Sequence, residues 1–199
     1  MAYVFSLHHE LARKTLHILT VVIPLAYASG LPRSILVAVL AVLSVIAVAI
    51  ELARVRHART RAAFQRAVGH LLRPHEREQW AGATWLILSF LAVVVVAPRP
   101  VAITAMWAVA AGDAAAALVG RSVAERRVDR TRKTIAGSAA CFLVTLAGGV
   151  LIAALSPVEA VTAAVAASIA EWPQGGVDDN IRIVAAVTAV LLLWRQAFS

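Results

Sequence analysis

The sequence is poor in cysteine and in charged residues. Its single cysteine, Cys141, excludes an intramolecular disulfide. Only 15% of the 199 residues are Asp, Glu, Lys or Arg, whereas about 25% is usual in soluble globular domains. The hydrophobic share is 61% and the mean hydropathy is +0.80. These proportions exclude a soluble enzyme domain and predict an integral membrane protein.

Several widespread functional motifs are also missing. The chain has no Gly-x-Gly-x-x-Gly or Walker A motif, no Cys and His spacing typical of zinc sites, and no Gly-x-Ser-x-Gly motif. The sequence therefore gives no support to a dinucleotide-binding fold, a P-loop NTPase, a zinc protein or a serine hydrolase.

Long uncharged segments predict the architecture. A membrane-spanning helix needs about 20 predominantly apolar residues, and breaks rich in Pro and Gly separate the segments that approach this length. We therefore expect one all-α membrane domain over residues 1–199, with seven transmembrane helices. The predicted spans are residues 15–29, 34–52, 80–97, 100–120, 135–155, 157–172 and 182–198.

The basic residues predict the orientation. The chain has 19 Lys and Arg against 11 Asp and Glu, which gives a pI of about 11.2. With a cytoplasmic N-terminus, 16 of these 19 residues lie in cytoplasmic segments, and only Arg33, Arg99 and Arg195 lie opposite. Because Lys and Arg in short loops stay in the cytoplasm, we expect this orientation, in a prokaryotic inner membrane. The basic pI is then a topology signal, and we expect no nucleic-acid partner.

Residues 53–79 form the one long polar segment between predicted spans. Its apolar residues can share one stripe of an amphipathic helix while its arginines face outward, which suits an anionic membrane surface. Two interpretations remain open for this cytoplasmic segment, a membrane anchor or a lid over a site. The predicted stripe consists of Leu52, Val55, Phe64, Val68, Leu71 and Leu72.

Four carboxylates are candidates for a divalent-cation site. Asp113 lies inside the fourth predicted span, where an ionisable group costs several kcal/mol unless it is paired, hydrated or bound to metal. Glu171 ends the sixth span, and Asp178 and Asp179 precede the seventh. Mg²⁺ prefers one or two carboxylates together with phosphate oxygens. The alternatives are helix packing for Asp113 and helix N-terminal capping for the adjacent pair.

Phosphate oxygens need cationic partners, and the predicted cytoplasmic face contains them. Gly120 and Arg121 follow Asp113, while Lys133 and Thr134 precede the fifth span. A lysine and free backbone N–H groups at a helix start favour anion binding.

A second charged group lies near the N-terminus. Glu10, Arg13, Lys14 and His17 have the spacing i, i+3, i+4 and i+7, which places them on one helix face. This face is either part of the site or a salt-bridged helix at the membrane interface.

Together these residues resemble the CTP-dependent lipid-alcohol kinases, the membrane family that includes dolichol kinase, phytol and farnesol kinases and the CTP-using diacylglycerol kinase. Four pieces of the sequence match. The piece that contains Asp113 and Lys133 also resembles CDP-diacylglycerol synthases, whereas the pieces at residues 10–17 and 171–180 resemble the kinases alone. The chain departs from the family pattern at Ala124, Ala136 and Val184. In order, the pieces are Glu10-x-x-Arg13-Lys14-x-x-His17; Glu76 with Gly82-Ala83-Thr84; Gly112-Asp113, Gly120-Arg121 and Lys133-Thr134-x-x-Gly137-Ser138; and Glu171 with Asp178-Asp179-Asn180.

The resemblance implies an enzyme that transfers the γ-phosphoryl group of CTP to a lipid alcohol at the cytoplasmic face. The alcohol would be isoprenoid, such as a polyprenol or a phytol-like alcohol, or diacylglycerol. Asp178, Asp179 and Glu171 would hold Mg²⁺, and Asp113 would be a further ligand or accept the alcohol proton. Lys133 would complete the catalytic set. The nucleotide-binding residues would be Arg13, Lys14, His17, Gly120, Arg121, Thr134, Gly137 and Asn180.

Two other functions stay open. The first is transfer of the cytidylyl group to phosphatidic acid, with release of pyrophosphate. The second is an ion-coupled transporter, although transporters usually contain internal repeats and this sequence has no sustained one. The alanine-rich fourth and sixth spans suit close helix packing within one chain or in a homo-oligomer.

Overall fold

The computed structural model describes residues 17–69, 71–72, 76, 79–124, 133–172 and 176–198. Within these residues the protein is helical and has no β-strand. A π-helical segment, Ala108–Asp113, joins α5 to α6. The α-helices are α1 (Val22–Ala28), α2 (Arg33–Arg56), α3 (Ala58–Val68), α4 (Gly82–Val96), α5 (Arg99–Trp107), α6 (Ala114–Ala124), α7 (Ile135–Leu151), α8 (Pro157–Glu171) and α9 (Asp179–Phe198).

In the described part of the chain, three helices are long and apolar enough to cross a membrane. These are α2, α9 and the continuous helix from α5 into α6, which satisfies the length and hydropathy requirements over Arg99–Val123. Shorter apolar helices of 10–17 residues cover His17–Ala28, Gly82–Val96 and Ile135–Leu151. The prediction of an all-α fold is therefore confirmed for the described residues. Each of the seven predicted segments coincides in position with a helix.

Proline and serine start several of these helices where the sequence predicts breaks. Pro32 is the N-cap of α2, and α5 has Pro100 in its first turn. Ser156 caps α8 in a reciprocal arrangement with Glu159, in which each side chain bonds the backbone N–H of the other residue. Proline suits these positions because the first N–H groups of a helix have no partner inside it.

Two arginines bind the carboxyl ends of other helices at one end of the bundle, which we call the distal end. Arg33 Nε donates to Val94 O at 2.8 Å, near the end of α4. Arg99 Nε donates to Tyr27 O at 3.0 Å, near the end of α1. These contacts add hydrogen bonds to carbonyl groups in the last turn of a helix, which lack the usual partners within the helix.

Arg195, the third basic residue predicted to lie opposite the cytoplasmic side, is also at the distal end. Arg195 Nε donates to Glu159 Oε1 at 2.7 Å, which joins the end of α9 to the start of α8. Asn180 Nδ2, at the start of α9, donates to Gly82 O at the start of α4. Because α9 and α4 therefore run in the same direction, Arg195 lies at the distal end with Arg33 and Arg99.

Small residues form much of the core. Ala160, Ala163, Ala164 and Ala167 of α8 are fully buried, and α8 packs against both α7 and α9. A Cβ atom at Gly149 would lie only 3.1 Å from Ala160 Cβ. The alanine-rich sixth predicted span therefore packs closely within the chain.

The polar segment after α2 differs from its prediction. The backbone breaks at His57, which has extended geometry with φ −121° and ψ 116°. Leu52 and Val55 belong to α2 and are exposed, whereas Phe64 and Val68 of α3 are half-buried. The continuous apolar stripe predicted across this segment is therefore not formed, because the chain breaks at His57 into two separate helices.

Candidate functional site

A cavity of about 370 Å³ lies at the end of the bundle opposite the distal end. Its apolar lining residues include Phe64, Val68, Leu71, Leu72 and Leu86, and the small residues 81–83 also line it. The cavity therefore combines hydrocarbon and polar surface. The polar lining residues are His17, Thr20, Glu76, Asp113, Asp179 and Asn180.

Asp113 reaches the cavity from the π-helical segment. It is the last residue of that segment and is 5% exposed. His17 Nε2 lies 3.0 Å from Val109 O in the same segment. Since a carbonyl oxygen only accepts, this nitrogen carries the proton and donates it. Single π-helical turns occur frequently at functional sites, and here His17 bonds the turn that leads into Asp113.

Asn180 joins the starts of α9 and α4. Its side-chain Nδ2 donates to Gly82 O at 3.0 Å and to Asp178 Oδ1 at 2.8 Å, and its backbone N–H donates to Asp178 Oδ1 at 3.0 Å. Glu76 Oε1 accepts from Gly82 N at 2.9 Å. A Cβ atom at Gly82 would lie 3.0 Å from Glu76 Oε1 and 3.4 Å from Asp178 Oδ2. Asp178 thus caps α9, and two carboxylates approach one glycine.

Lys133 and Glu171 form an ion pair between the start of α7 and the end of α8. Lys133 Nζ lies 3.0 Å from Glu171 Oε1, and Glu171 is 3% exposed. Glu171 Oε2 is also buried, and among the described residues it has no hydrogen-bond partner. The structure therefore pairs two predicted site residues for which the sequence predicts different roles.

Close packing of glycines sets the crossing of α6 and α7. A Cβ atom at Gly137 would lie 2.8 Å from Ala116 O and 3.4 Å from Gly120 Cα. Thr134 Oγ1 accepts from Gly137 N at 3.1 Å and so caps α7. Arg121 lies in the last turn of α6. The predicted Gly120, Thr134 and Gly137 thus bring the backbone around Arg121 close to the start of α7.

A buried pair on α2, Glu51 and Arg54, was not predicted as part of the site. Glu51 and Arg54 are 1% and 2% exposed, and Arg54 Nε donates to Glu51 Oε2. Glu51 Oε1 accepts from Ala81 N at 2.9 Å and from Thr84 Oγ1 at 3.2 Å. The spacing i, i+3 of opposite charges at the end of an apolar helix is the sequence signal that predicts such a pair.

Arg54 corrects the expectation that the arginines of residues 53–79 face outward. It donates to Glu76 O at 2.9 Å and to Gln79 O, and its guanidinium carbon lies 5.0 Å from the centroid of the Phe64 ring. The physical reason is that the chain after α3 returns over the end of α2 and offers carbonyl groups that a guanidinium can bind together. Arg59 and Arg66 of α3 are exposed, as predicted.

The residues present fit a magnesium ion held with the help of phosphate oxygens. Asp113 and Asp179 line one cavity. Glu171, whose buried Oε2 is an acceptor to which no described residue donates, is not among the lining residues of that cavity. In the described ranges, no three His, Cys, Asp or Glu side chains come close enough to ligate an ion by themselves. Mg²⁺ does not require such a group, because it usually keeps water and takes substrate phosphate oxygens beside one or two carboxylates.

The predicted site residues Arg13 and Lys14 lie outside the described residues. No protein-family model, characterised protein or solved structure matches this chain.

Proposed function

We propose that the protein is a membrane kinase that transfers the γ-phosphoryl group of CTP to the hydroxyl of a lipid alcohol. The observation that carries the proposal is the mixed lining of the cavity, which combines the carboxylates of Asp113 and Asp179 with apolar residues such as Phe64 and Leu86. A lipid alcohol has the same mixed chemistry, since its hydroxyl needs polar partners and its chain needs an apolar surface.

The protein side chains supply charge and position, which is what phosphoryl transfer requires. Asp113 is the group that accepts the alcohol proton or binds metal. Lys133, fixed by Glu171 at 3.0 Å, and Arg121 neutralise the triphosphate. Asp178, Asp179 and Glu171 would hold Mg²⁺, together with Asp113 in its metal-binding role, and the bound ion would neutralise charge on the transferred group.

The proposed enzyme has seven spans, a cytoplasmic N-terminus and a cytoplasmic site. Seven helical segments of the described residues match the predicted spans in position, and in this proposal each of them crosses the membrane between the cavity end and the distal end. Of the 19 basic residues, 16 lie in the sequence segments that this proposal assigns to the cytoplasmic side, and the other three, Arg33, Arg99 and Arg195, lie at the distal end. The positive-inside rule then favours the cytoplasm for that end.

The test is lipid-phosphate formation by the purified protein with CTP, Mg²⁺ and either geranylgeraniol or 1,2-dioleoylglycerol. We expect product with at least one alcohol and none after EDTA treatment. CTP should be consumed only when an alcohol is supplied. Absence of lipid phosphate with both alcohols, from protein that retains its thermal unfolding transition, would contradict the proposal.

A further inference from the structure

Helix α3 forms one wall of the cavity and presents opposite chemistry on its two faces. Phe64 and Val68 are one helical turn apart and line the cavity, and Leu71 and Leu72 continue this wall after the helix. The outward face carries the exposed Arg59 and Arg66. A short helix with these faces lies naturally at a membrane surface, with its arginines near anionic headgroups.

Buried contacts fix α3 in this place. The Arg54 guanidinium lies against the Phe64 ring and bonds the carbonyls of Glu76 and Gln79, so one buried cation contacts both α3 and the segment that follows it. Arg61 Nε of α3 also donates to Arg54 O at 3.1 Å. The position of Phe64 therefore depends on Arg54.

The size of the cavity limits what it holds. Its volume of about 370 Å³ is near the lower end of the range for small-molecule sites, about 300–1,000 Å³. A polyprenol or a diacylglycerol is larger than this volume, so the part beside its hydroxyl occupies the cavity and the rest lies outside. Side chains on α3 then contact the carbons closest to the reacting group.

We propose that α3 binds the first part of the lipid chain, with Phe64 and Val68 as specificity-determining residues and Arg54 as the residue that positions Phe64. The identity of the occupant as a lipid alcohol rests on the proposed function, but binding of the alcohol can be measured separately from phosphoryl transfer. Phe64 supplies apolar contact area, while Val68 sets the width of the cavity beside it.

The experiment measures binding of tritiated geranylgeraniol to the full-length protein in lipid nanodiscs, without nucleotide or Mg²⁺. Phe64→Ala should weaken binding about tenfold, which is the effect of removing one buried aromatic contact. Val68→Phe should weaken it similarly, because the added ring fills part of the cavity. The matched control is Ala67→Phe, which adds the same ring on the exposed side of α3 and should leave binding unchanged.

A double-mutant cycle tests the positioning role. Arg54→Lys keeps the charge but loses the planar guanidinium, so it should weaken binding in the parent protein. It should have little further effect when Phe64 is already Ala, because the residue that it positions is gone. Full additivity of the two losses would show that Arg54 acts only on general stability and would overturn the positioning claim.

The outcomes separate this inference from the kinase proposal. Normal geranylgeraniol binding and turnover in both cavity variants, or no binding to the parent protein, would overturn the inference. A parent protein that binds the alcohol with the predicted variant pattern, but transfers no phosphate from CTP, would support the inference and contradict the kinase. Equal losses from Ala67→Phe and Val68→Phe would mean that α3 contacts only the membrane.

Discussion

Glu171 bonds Lys133 with one carboxylate oxygen and keeps its other oxygen buried, without a partner among the described residues. This arrangement fixes a cation that is 27% exposed at its side chain and therefore accessible to an anionic ligand. A lysine held in this way is oriented before the phosphate arrives. Such preorganisation is what makes a cation effective in a transition state.

Lys133→Ala should therefore lower turnover by about 100-fold or more, the usual effect of losing an aimed stabilising group. Lys133→Arg should restore only part of the activity, because a guanidinium has a different shape and hydration. The control is Arg59→Ala on the exposed face of α3, which should change turnover little at saturating substrate. Equal kcat losses from Lys133→Ala and Arg59→Ala would show that only bulk positive charge matters.

Asp113 combines 5% exposure with a place in the cavity lining. Asp113→Asn preserves the shape but removes the charge and the proton acceptor, so kcat should fall by about 100-fold or more. Glu159→Gln, at the distal end, is the control and should retain activity. A comparable loss in both variants would mean that the assay reports folding.

The Glu51 and Arg54 pair makes a prediction about stability. Glu51→Leu leaves a buried guanidinium without its carboxylate and should lower the free energy of unfolding by about 3–5 kcal/mol. The double variant Glu51→Leu with Arg54→Met should be less destabilised than Glu51→Leu alone, since no uncompensated charge remains. Denaturant unfolding followed by tryptophan fluorescence measures both. A double variant that is less stable than the single one would contradict this explanation.

At the scale of elements, the sequence predicted where helices occur better than how they meet. Apolar length and the breaks at Pro32, Pro98 and Pro157 locate the helical segments, because both depend on local chain properties. The π-helical segment has no such local signal, and it was not predicted. The position of α3 was also left open, since its contact with Arg54 depends on a tertiary arrangement of the chain.

The glycine contact between α6 and α7 makes a prediction about an element. Gly137→Ala places a Cβ atom 2.8 Å from Ala116 O, so the helices must move apart. We expect a loss of about 1–3 kcal/mol in stability, as for overpacking elsewhere, together with lower turnover because Lys133 starts the same segment. Ala139→Leu, on an exposed position of α7, is the control. Unchanged stability in Gly137→Ala would show that the close contact is not required.

At the scale of the whole molecule, the grouping of distant residues was partly predictable. Placing His17, Asp113 and Asp179 at one end follows from the direction of consecutive helices, and the structure brings them to one cavity. The family resemblance supplied their proposed roles. Neither the direction of consecutive helices nor the family resemblance predicts that Asn180 bonds Gly82 O, because that contact depends on which helices become neighbours.

The proposed orientation is tested by labelling single cysteines in intact cells with a membrane-impermeant reagent. Ser29→Cys, at the distal end, should be labelled, and Gly176→Cys, at the cavity end, should react only after the membrane is opened. Both positions are exposed, and the native Cys141 is buried. The reverse pattern would place the proposed site outside the cell, away from cytoplasmic nucleotides.

The central claim, γ-phosphoryl transfer from CTP, is tested most directly by comparing CTP labelled at the γ phosphate with CTP labelled at the α phosphate. A kinase breaks the bond between the β and γ phosphates, so we predict γ label in the lipid extract and an equal amount of CDP. The α label should stay in the aqueous phase. Transfer of the α label to phosphatidic acid, with release of pyrophosphate, would contradict the account and identify a cytidylyltransferase.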